Sequence, residues 1–167
     1  METACAHKAV VVVVSDSTSR GERRDTAGPA LAQVLASAGF GIREVVVVPD
    51  EEEVISRTLA SLADQGGLSL IATSGGTGLS PRDRTPEATL AVVDRLVPGL
   101  PEAMRLVGLA KTPHAALSRA VAGTRGGCLI INLPGSLKGA KESLEAVLPA
   151  LPHALDKLAG DQTPCGD

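Results

Sequence analysis

The stretch IATSGGTGLSPRDRTPEAT, residues 71–89, decides how the rest of the chain is read. It belongs to an apolar run from Leu68 to Ala72, as a buried strand requires, and then breaks into Thr73-Ser74-Gly75-Gly76-Thr77-Gly78. Three glycines within four residues allow positive φ and a close approach of backbone to ligand. Successive N–H groups in such a turn form a concavity for anions, and the hydroxyls of Ser74 and Thr77 add donors. Pro81-Arg82-Asp83-Arg84-Thr85-Pro86 follows, with Pro86 suited to the first position of a helix. A Gly-rich loop after a strand is often only a tight connection. Here the loop continues into two guanidinium groups and a carboxylate, which suit phosphates and a hard cation respectively.

Outward from this loop, strand and helix patterns alternate. Lys8 to Val14 is almost unbroken valine, the pattern of a parallel strand buried on both faces. It ends in a polar loop, Ser15 to Gly21. Ser15 and Asp16 stand where open α/β sheets bind ligands, outside a strand's carboxyl end, although they could equally cap the loop. Asp25 or Thr26 can cap a helix that holds Pro29 in its first turn and runs to about Ala38, with Gly39 as its stop. A second strand, Gly41 to Val48, leads to Pro49-Asp50 and Glu51-Glu52-Glu53. Taken alone, Asp50 is best read as the N-cap of the next helix. It also lies just past a strand end, as Asp83 does. That helix is expected to reach Gln65, with the third strand at Leu68 to Thr73.

Beyond the central loop, helices are predicted from Pro86 to about Leu96 and from Leu100 to Ala110, the latter with Leu100, Met104, Val107 and Gly108 on one face. Ala115 to Val121 reads as a short extended piece containing Ser118 and Arg119, and Gly123 to Gly127 as a turn. Cys128 to Leu133 is a buried strand ending in Pro134-Gly135-Ser136. Helices follow at Lys138 to Leu148 and from Pro149 to about Leu158. The alternation predicts one three-layer α/β domain with a mostly parallel sheet. Flexible tails are expected at residues 1–6 and 160–167.

Composition narrows the function. A net charge of −3 and a single aromatic residue, Phe40, leave neither a basic footprint nor a stacking platform for nucleic acid. The cysteines, Cys5, Cys128 and Cys165, and the histidines, His7, His114 and His153, are scattered without metal or disulfide spacing. Cys128 is expected to be a packed core thiol. No run reaches membrane-spanning length and no cleavage site follows the first valine run, so the expected setting is cytoplasmic. A nicotinamide or flavin Rossmann domain would place G-x-G-x-x-G after the first strand, where Ser15-Asp16-Ser17-Thr18 stands instead.

GGTG-x-x-x-RD-x-TPEA, as Gly75 to Gly78, Arg82-Asp83 and Thr85 to Ala88, resembles the signature of the molybdenum-cofactor biosynthesis domain. The likeness extends to Ser15-Asp16, Gly21, Asp25 and Gly28-Pro29, to Val48-Pro49-Asp50, to LSRAVAGTRGGCLIINLPGS at 117–136 and to LPALPHALD at 148–156. It covers roughly Val10 to Leu158. It is nearest to the stand-alone molybdopterin adenylyltransferases of the MogA type and to the related MoaB type. Leu137 departs from it, since many members have Pro there.

The resemblance implies transfer of AMP from ATP to the phosphate of molybdopterin with release of pyrophosphate, assisted by Mg²⁺. Asp50 and Asp83 are the implied catalytic and metal-binding residues, Asp83 as the direct ligand. Asp50 would act through water or orient the attacking group. Ser74, Gly75, Gly76, Thr77 and Gly78 would hold phosphates and Arg82 would offset charge. Ser15 and Asp16 would border the nucleotide, and Ser118, Pro134, Gly135 and Ser136 the pterin. It further implies a homotrimer and a molybdenum insertion enzyme as a partner. Within the same family, a non-catalytic molybdopterin carrier or scaffold of the MoaB type is the alternative. The insertion enzyme itself is expected to need domains beyond 167 residues.

Overall fold

A computed structural model describes residues 7–164. Its centre is a six-stranded sheet whose strands lie side by side in the order Gly41–Val48 (β2), Lys8–Val14 (β1), Leu70–Ser74 (β3), Cys128–Leu133 (β6), Ala122–Arg125 (β5) and Arg95–Leu96 (β4). The strands β1 (Lys8–Val14), β2 (Gly41–Val48), β3 (Leu70–Ser74) and β6 (Cys128–Leu133) run parallel. The valines of β1 explain why it sits inside. Alternate side chains point to opposite faces, and both faces are covered. Val11 and Val13 pack with Leu31, Leu35, Leu144 and Leu155 on one side. Val10, Val12 and Val14 pack with Ile55, Leu59 and Ala88 on the other. Helices α2 (Ala27–Ser37), α6 (Leu137–Val147) and α7 (Leu151–Leu158) supply the first layer. Helices α3 (Glu52–Asp64) and α4 (Thr85–Leu90) supply the second. The expected three-layer domain with a mostly parallel sheet is therefore present. Cys128 is a buried core thiol, its pKa pushed up to about 12 by burial.

Several local expectations need correction. The loop after β1 contains a short helix, α1 (Asp16–Ser19), capped by Ser15, whose Oγ accepts from the Thr18 N–H at 3.3 Å. Asp25 rather than Thr26 supplies the side-chain bond at the start of α2, its Oδ1 accepting from the Gly28 N–H at 2.9 Å. Helix α3 begins two residues after Asp50, with Glu51 at the cap position, so Asp50 is not its N-cap. The helix expected to reach Leu96 stops at Leu90, and Arg95–Leu96 forms a short strand, β4.

Helix α5 (Gly99–Leu109) turns Met104 inward, but Val107 is exposed. The segment expected to be extended begins as a 3-10 helix, Pro113–Leu117. The expected turn is instead largely strand: β5 (Ala122–Arg125) pairs antiparallel with β6, leaving Gly126-Gly127 as the hairpin tip. Part of the expected C-terminal tail is engaged, because Lys157 Nζ reaches Asp161 Oδ2 at 3.1 Å and the Thr163 carbonyl. The remaining expectations for residues 1–6 and 165–167, with Cys5 and Cys165, fall outside the described residues.

Candidate active site

The carboxyl ends of β1, β2, β3 and β6 meet at one edge of the sheet. Hydrogen bonds join their loops. The Gly75 N–H donates to the Leu133 carbonyl at 3.2 Å, Ser15 N–H to the Val48 carbonyl at 2.9 Å, and Ser74 Oγ to the Pro134 carbonyl at 3.0 Å. Gly75 and Gly76 adopt φ of +110° and +66°. A Cβ on Gly75 would stand 2.3 Å from the Val14 carbonyl oxygen, and one on Gly76 2.3 Å from Thr85 Oγ1. Both positions therefore require glycine, by conformation and by space.

A buried polar chain holds this loop from below. Asn132 Nδ2 donates to Thr73 Oγ1 at 3.1 Å and to Thr89 Oγ1 at 2.9 Å. Thr89 Oγ1 in turn donates to the Thr85 carbonyl, and Thr85 Oγ1 to the Gly75 carbonyl, at 2.8 and 2.9 Å. Inside the protein every member of such a chain must be paired or it costs stability. The glycine turn is thus set by partners on β3, α4 and β6.

Arg119 fixes the far side of the same loop. Its Nε donates to the Gly78 carbonyl and its Nη2 to the Asp83 carbonyl, each at 2.7 Å, and its backbone N–H donates to the Thr77 carbonyl at 3.0 Å. Its Nη1 pairs with Glu87. Burial pushes the Glu87 carboxyl up, but hydrogen bonds led by that from Arg119 outweigh this and hold it below its ordinary value. Glu87 Oε2 is buried without a hydrogen-bond partner among the described residues.

These elements border a cavity of about 420 Å³. Gly76, Thr77, Gly78 and Asp83 form one wall and Pro134, Gly135 and Ser136 another. Met104, Arg105 and Gly108 of α5 line it too, together with Thr112, His114, Leu117 and Ser118. Asp83 Oδ2 accepts from the Ser80 N–H at 2.9 Å, and its Oδ1 accepts no hydrogen bond from the described residues.

Outside the cavity lies a second cluster. The Asp16 N–H donates to Asp50 Oδ2 at 2.7 Å and the Asp50 N–H to Asp16 Oδ1 at 2.9 Å, a reciprocal brace between the ends of β1 and β2. Arg82 donates to Asp16 Oδ2 from Nη2 at 2.6 Å and from Nε at 3.2 Å. The Arg82 bond, then that from the Asp50 N–H, hold the Asp16 carboxyl below its usual value. Asp50 moves the other way. Burial pushes it up first, and the charges of Asp16 and Asp83 add to this, against the Asp16 N–H bond and Arg82. Asp50 therefore feels the charge of Asp83.

Of the residues singled out from sequence, Gly76, Thr77, Gly78, Asp83, Ser118, Pro134, Gly135 and Ser136 line the cavity. Ser15, Asp16, Asp50, Ser74, Gly75 and Arg82 do not line it, and the Ser74 hydroxyl is spent on Pro134. Sequence reading missed Arg105, Arg119 and Asn132 as site-building residues. Arg105 follows Met104 on α5 and so falls beside the apolar face, where periodicity gives no signal. The tie made by Arg119 is visible only after the chain has folded back on residues 77–83.

Comparison with known proteins agrees with this architecture. Residues 10–153 match the family model described as a probable molybdopterin binding domain. The chain is 41% identical over 153 residues to the molybdopterin adenylyltransferase of Helicobacter pylori strain J99, spanning 90% of this chain and 87% of that protein. It is 46% identical over 143 residues to the molybdopterin adenylyltransferase of Escherichia coli K12, spanning 84% and 73% respectively. Among solved structures it resembles the molybdopterin biosynthesis enzyme MoaB of Thermus thermophilus, with 59% identity and a TM-score of 0.87 over 93% of this chain and 98% of that one. A glycine turn, a carboxylate and a cavity at one sheet edge, within a match spanning most of its length, place this chain in the molybdopterin-binding domain family of molybdenum cofactor biosynthesis.

Proposed function

We propose that the protein is a molybdopterin adenylyltransferase. A terminal phosphate oxygen of molybdopterin attacks the α-phosphorus of ATP, the bond from that phosphorus to the bridging β-phosphate oxygen breaks, and pyrophosphate leaves. The observation that carries this reading is the joint placement of the glycine turn and Asp83 in the cavity wall, with Asp50 close enough to sense the charge of Asp83. The names of the relatives support the same chemistry.

Phosphoryl transfer asks a protein for positioning and charge compensation rather than a covalent intermediate. The backbone N–H groups of Gly76 to Gly78 are suited to phosphate oxygens. Ser118 and Pro134 to Ser136 border the space offered to the pterin, which with no Phe, Tyr or Trp at the cavity is left to hydrogen bonds, aliphatic contact and the imidazole of His114. Ser15 and Asp16 border the nucleotide side, with Arg82 held against Asp16.

Mg²⁺ fits this donor set. It takes one or two carboxylates and leaves its other positions to substrate phosphates and water, and Oδ1 of both Asp83 and Asp50 accepts no hydrogen bond among the described residues. When bound, the ion would offset negative charge on the reacting phosphates. Asp83 is assigned as its direct ligand. Asp50, half-buried and with its carboxyl pushed above the ordinary value by burial, is assigned to orient the attacking phosphate or to hold the ion through water.

Exposed Leu106, Val107, Leu109 and Leu117 provide apolar surface for self-association, here assigned to a homotrimer. A cytoplasmic setting, and hand-over of the adenylylated pterin to a molybdenum insertion enzyme, complete the proposal. No helix among the described residues is long and apolar enough to cross a membrane.

The test is incubation of the purified protein with molybdopterin, ATP and Mg²⁺. Adenylylated pterin and pyrophosphate are expected in equal amounts, with neither formed when Mg²⁺ is chelated. Tight pterin binding without pyrophosphate would assign a carrier instead.

A further inference from the structure

The arginines near the site differ in how their charge is spent. Arg82 is bound to Asp16, Arg84 to Glu52 and Arg119 to Glu87. In each case a carboxylate already compensates the guanidinium, and a substrate phosphate would have to compete for it. Arg82 is also 60% exposed at its side chain and lies outside the cavity lining.

Arg105 is different. It is the one arginine or lysine that lines the cavity among the described residues. Its hydrogen bonds run from Nη1 to the carbonyls of Ser118 and Ala120, at 3.3 and 3.4 Å. These are long, neutral contacts from one nitrogen, and a guanidinium carries five donors. No carboxylate of the described residues forms an ion pair with it. Glu142, which also lines the cavity, is taken by Lys111 at 3.1 Å, and Asp83 accepts from Ser80.

The contacts of Arg105 also aim it. The two carbonyls that hold it belong to Ser118 and Ala120, and the residue between them, Arg119, donates its N–H to the Thr77 carbonyl. The guanidinium thus stands on the segment that is tied directly to the anion-binding turn. It is half-buried, where a charge interaction is screened less than at the surface.

We propose that Arg105 is the guanidinium that binds the terminal phosphate of the pterin substrate, in place of Arg82, to which sequence reading gave the task of offsetting phosphate charge. A planar guanidinium with free donors matches a phosphate monoester in a two-pronged geometry. The glycine turn meets the same group with N–H donors from another wall, and Asp83 remains free for the cation. This assignment rests on the reading of the cavity as a molybdopterin site, and it concerns binding, so it can be judged apart from turnover.

The experiment is calorimetric titration of wild type, Arg105→Gln and Arg105→Lys with molybdopterin, and with the same pterin after its phosphate is removed by a phosphatase. ATP affinity and melting temperature are measured on each variant. Loss of a charge-assisted contact is expected to weaken binding of the phosphorylated pterin by about 10- to 100-fold in Arg105→Gln. Affinity for the phosphate-free pterin and for ATP should stay within about twofold, and Arg105→Lys should recover part of the loss. The dependence of molybdopterin binding on salt should also become shallower in Arg105→Gln. Unchanged molybdopterin affinity would overturn the assignment, and so would an equal loss for both forms of the pterin. Wild type that binds the phosphorylated pterin but forms no pyrophosphate would remove the proposed reaction and leave this result standing.

Discussion

The cavity and the Asp16–Asp50–Arg82 cluster lie at the same sheet edge, yet their polar groups are in opposite states. In the cluster nearly every group is satisfied within the protein. Asp16 and Asp50 exchange backbone bonds, and Arg82 closes on Asp16 with two donors. In the cavity wall Asp83 Oδ1 accepts no hydrogen bond from the described residues, and Arg105 is held by two long carbonyl contacts. A group that the protein has already paired gains little by meeting a ligand, because the old bond must break first. Groups left open are those that a substrate or ion can complete. The difference assigns pterin capture to the cavity; the cluster aligns the strand ends and leaves Asp50 Oδ1, which accepts no hydrogen bond from the described residues, as its one open acceptor for the chemistry.

Asp83 gives the largest way to break this division. Asp83→Asn keeps an acceptor for the Ser80 N–H but removes the charge. Adenylylation is expected to fall by about 10²–10³-fold, with melting and pterin affinity little changed. Near-normal turnover measured at saturating Mg²⁺ would take Asp83 out of the metal site.

Gly76→Ala comes next and acts on the wall itself. The new methyl would meet Thr85, a buried member of the chain from Asn132, while φ stays at +66°. Stability is expected to drop by about 1–3 kcal/mol, read by denaturant unfolding, and phosphate-dependent pterin binding should drop with it. Sequence alone places the cost chiefly in binding; the contact with Thr85 adds a cost in folding. A variant of unchanged stability and affinity would reduce the loop to a simple turn.

Arg82→Gln should do less, because its guanidinium is largely exposed and serves Asp16 rather than the cavity. Turnover is expected to fall by less than about tenfold, in steady-state assays at saturating pterin. A loss matching that of Asp83→Asn would place Arg82 among the groups that touch the reacting phosphates.

The smallest effect concerns stability and pH. Asp50 is raised in the folded state by burial and by Asp16 and Asp83, so folding is disfavoured by its charge above the raised value. That cost is removed as the pH falls through the raised value towards the ordinary carboxylate range. Asp50→Asn should therefore melt slightly higher than wild type at neutral pH and above, with the advantage fading on acidification. The reverse trend, in melting curves recorded across this range, would show that burial and the charges of Asp16 and Asp83 do not raise Asp50.

The parallel half of the fold was legible because Lys8–Val14 and Cys128–Leu133 are continuous apolar runs, as doubly buried strands need, and because Gly41–Val48, although largely exposed at the sheet edge, ends in an unbroken valine run. The antiparallel edge was not. Ala122–Arg125 is AGTR, with one glycine and a charge, and owes its strand state to pairing with β6 rather than to its own composition. Arg95–Leu96 is a strand of two residues and is held in the same way by β5.

At the site, the glycine turn and the two aspartates were visible because each follows a strand end. Asp50, judged alone, reads as a cap because three acidic residues follow it, and acids at a helix start normally serve the helix dipole. Its actual partner, the Asp16 N–H, is 34 residues away and cannot be inferred from local pattern. Arg119 and Arg105 were out of reach for the same reason, since their partners on residues 77–83 and 118–120 are brought near by tertiary folding.

The cavity binds the pterin, while Asp50, braced by Asp16, serves the chemistry. Asp50→Asn tests this most directly, because this residue belongs to the cluster, stands outside the cavity lining and keeps an acceptor for Asp16 after the change. Molybdopterin affinity by titration and pyrophosphate release with ATP and Mg²⁺ should be measured on the same preparation. The expected result is affinity within about twofold of wild type with turnover reduced by about 10²-fold or more. Turnover preserved in full, or affinity lost in proportion to turnover, would contradict the division between the two regions.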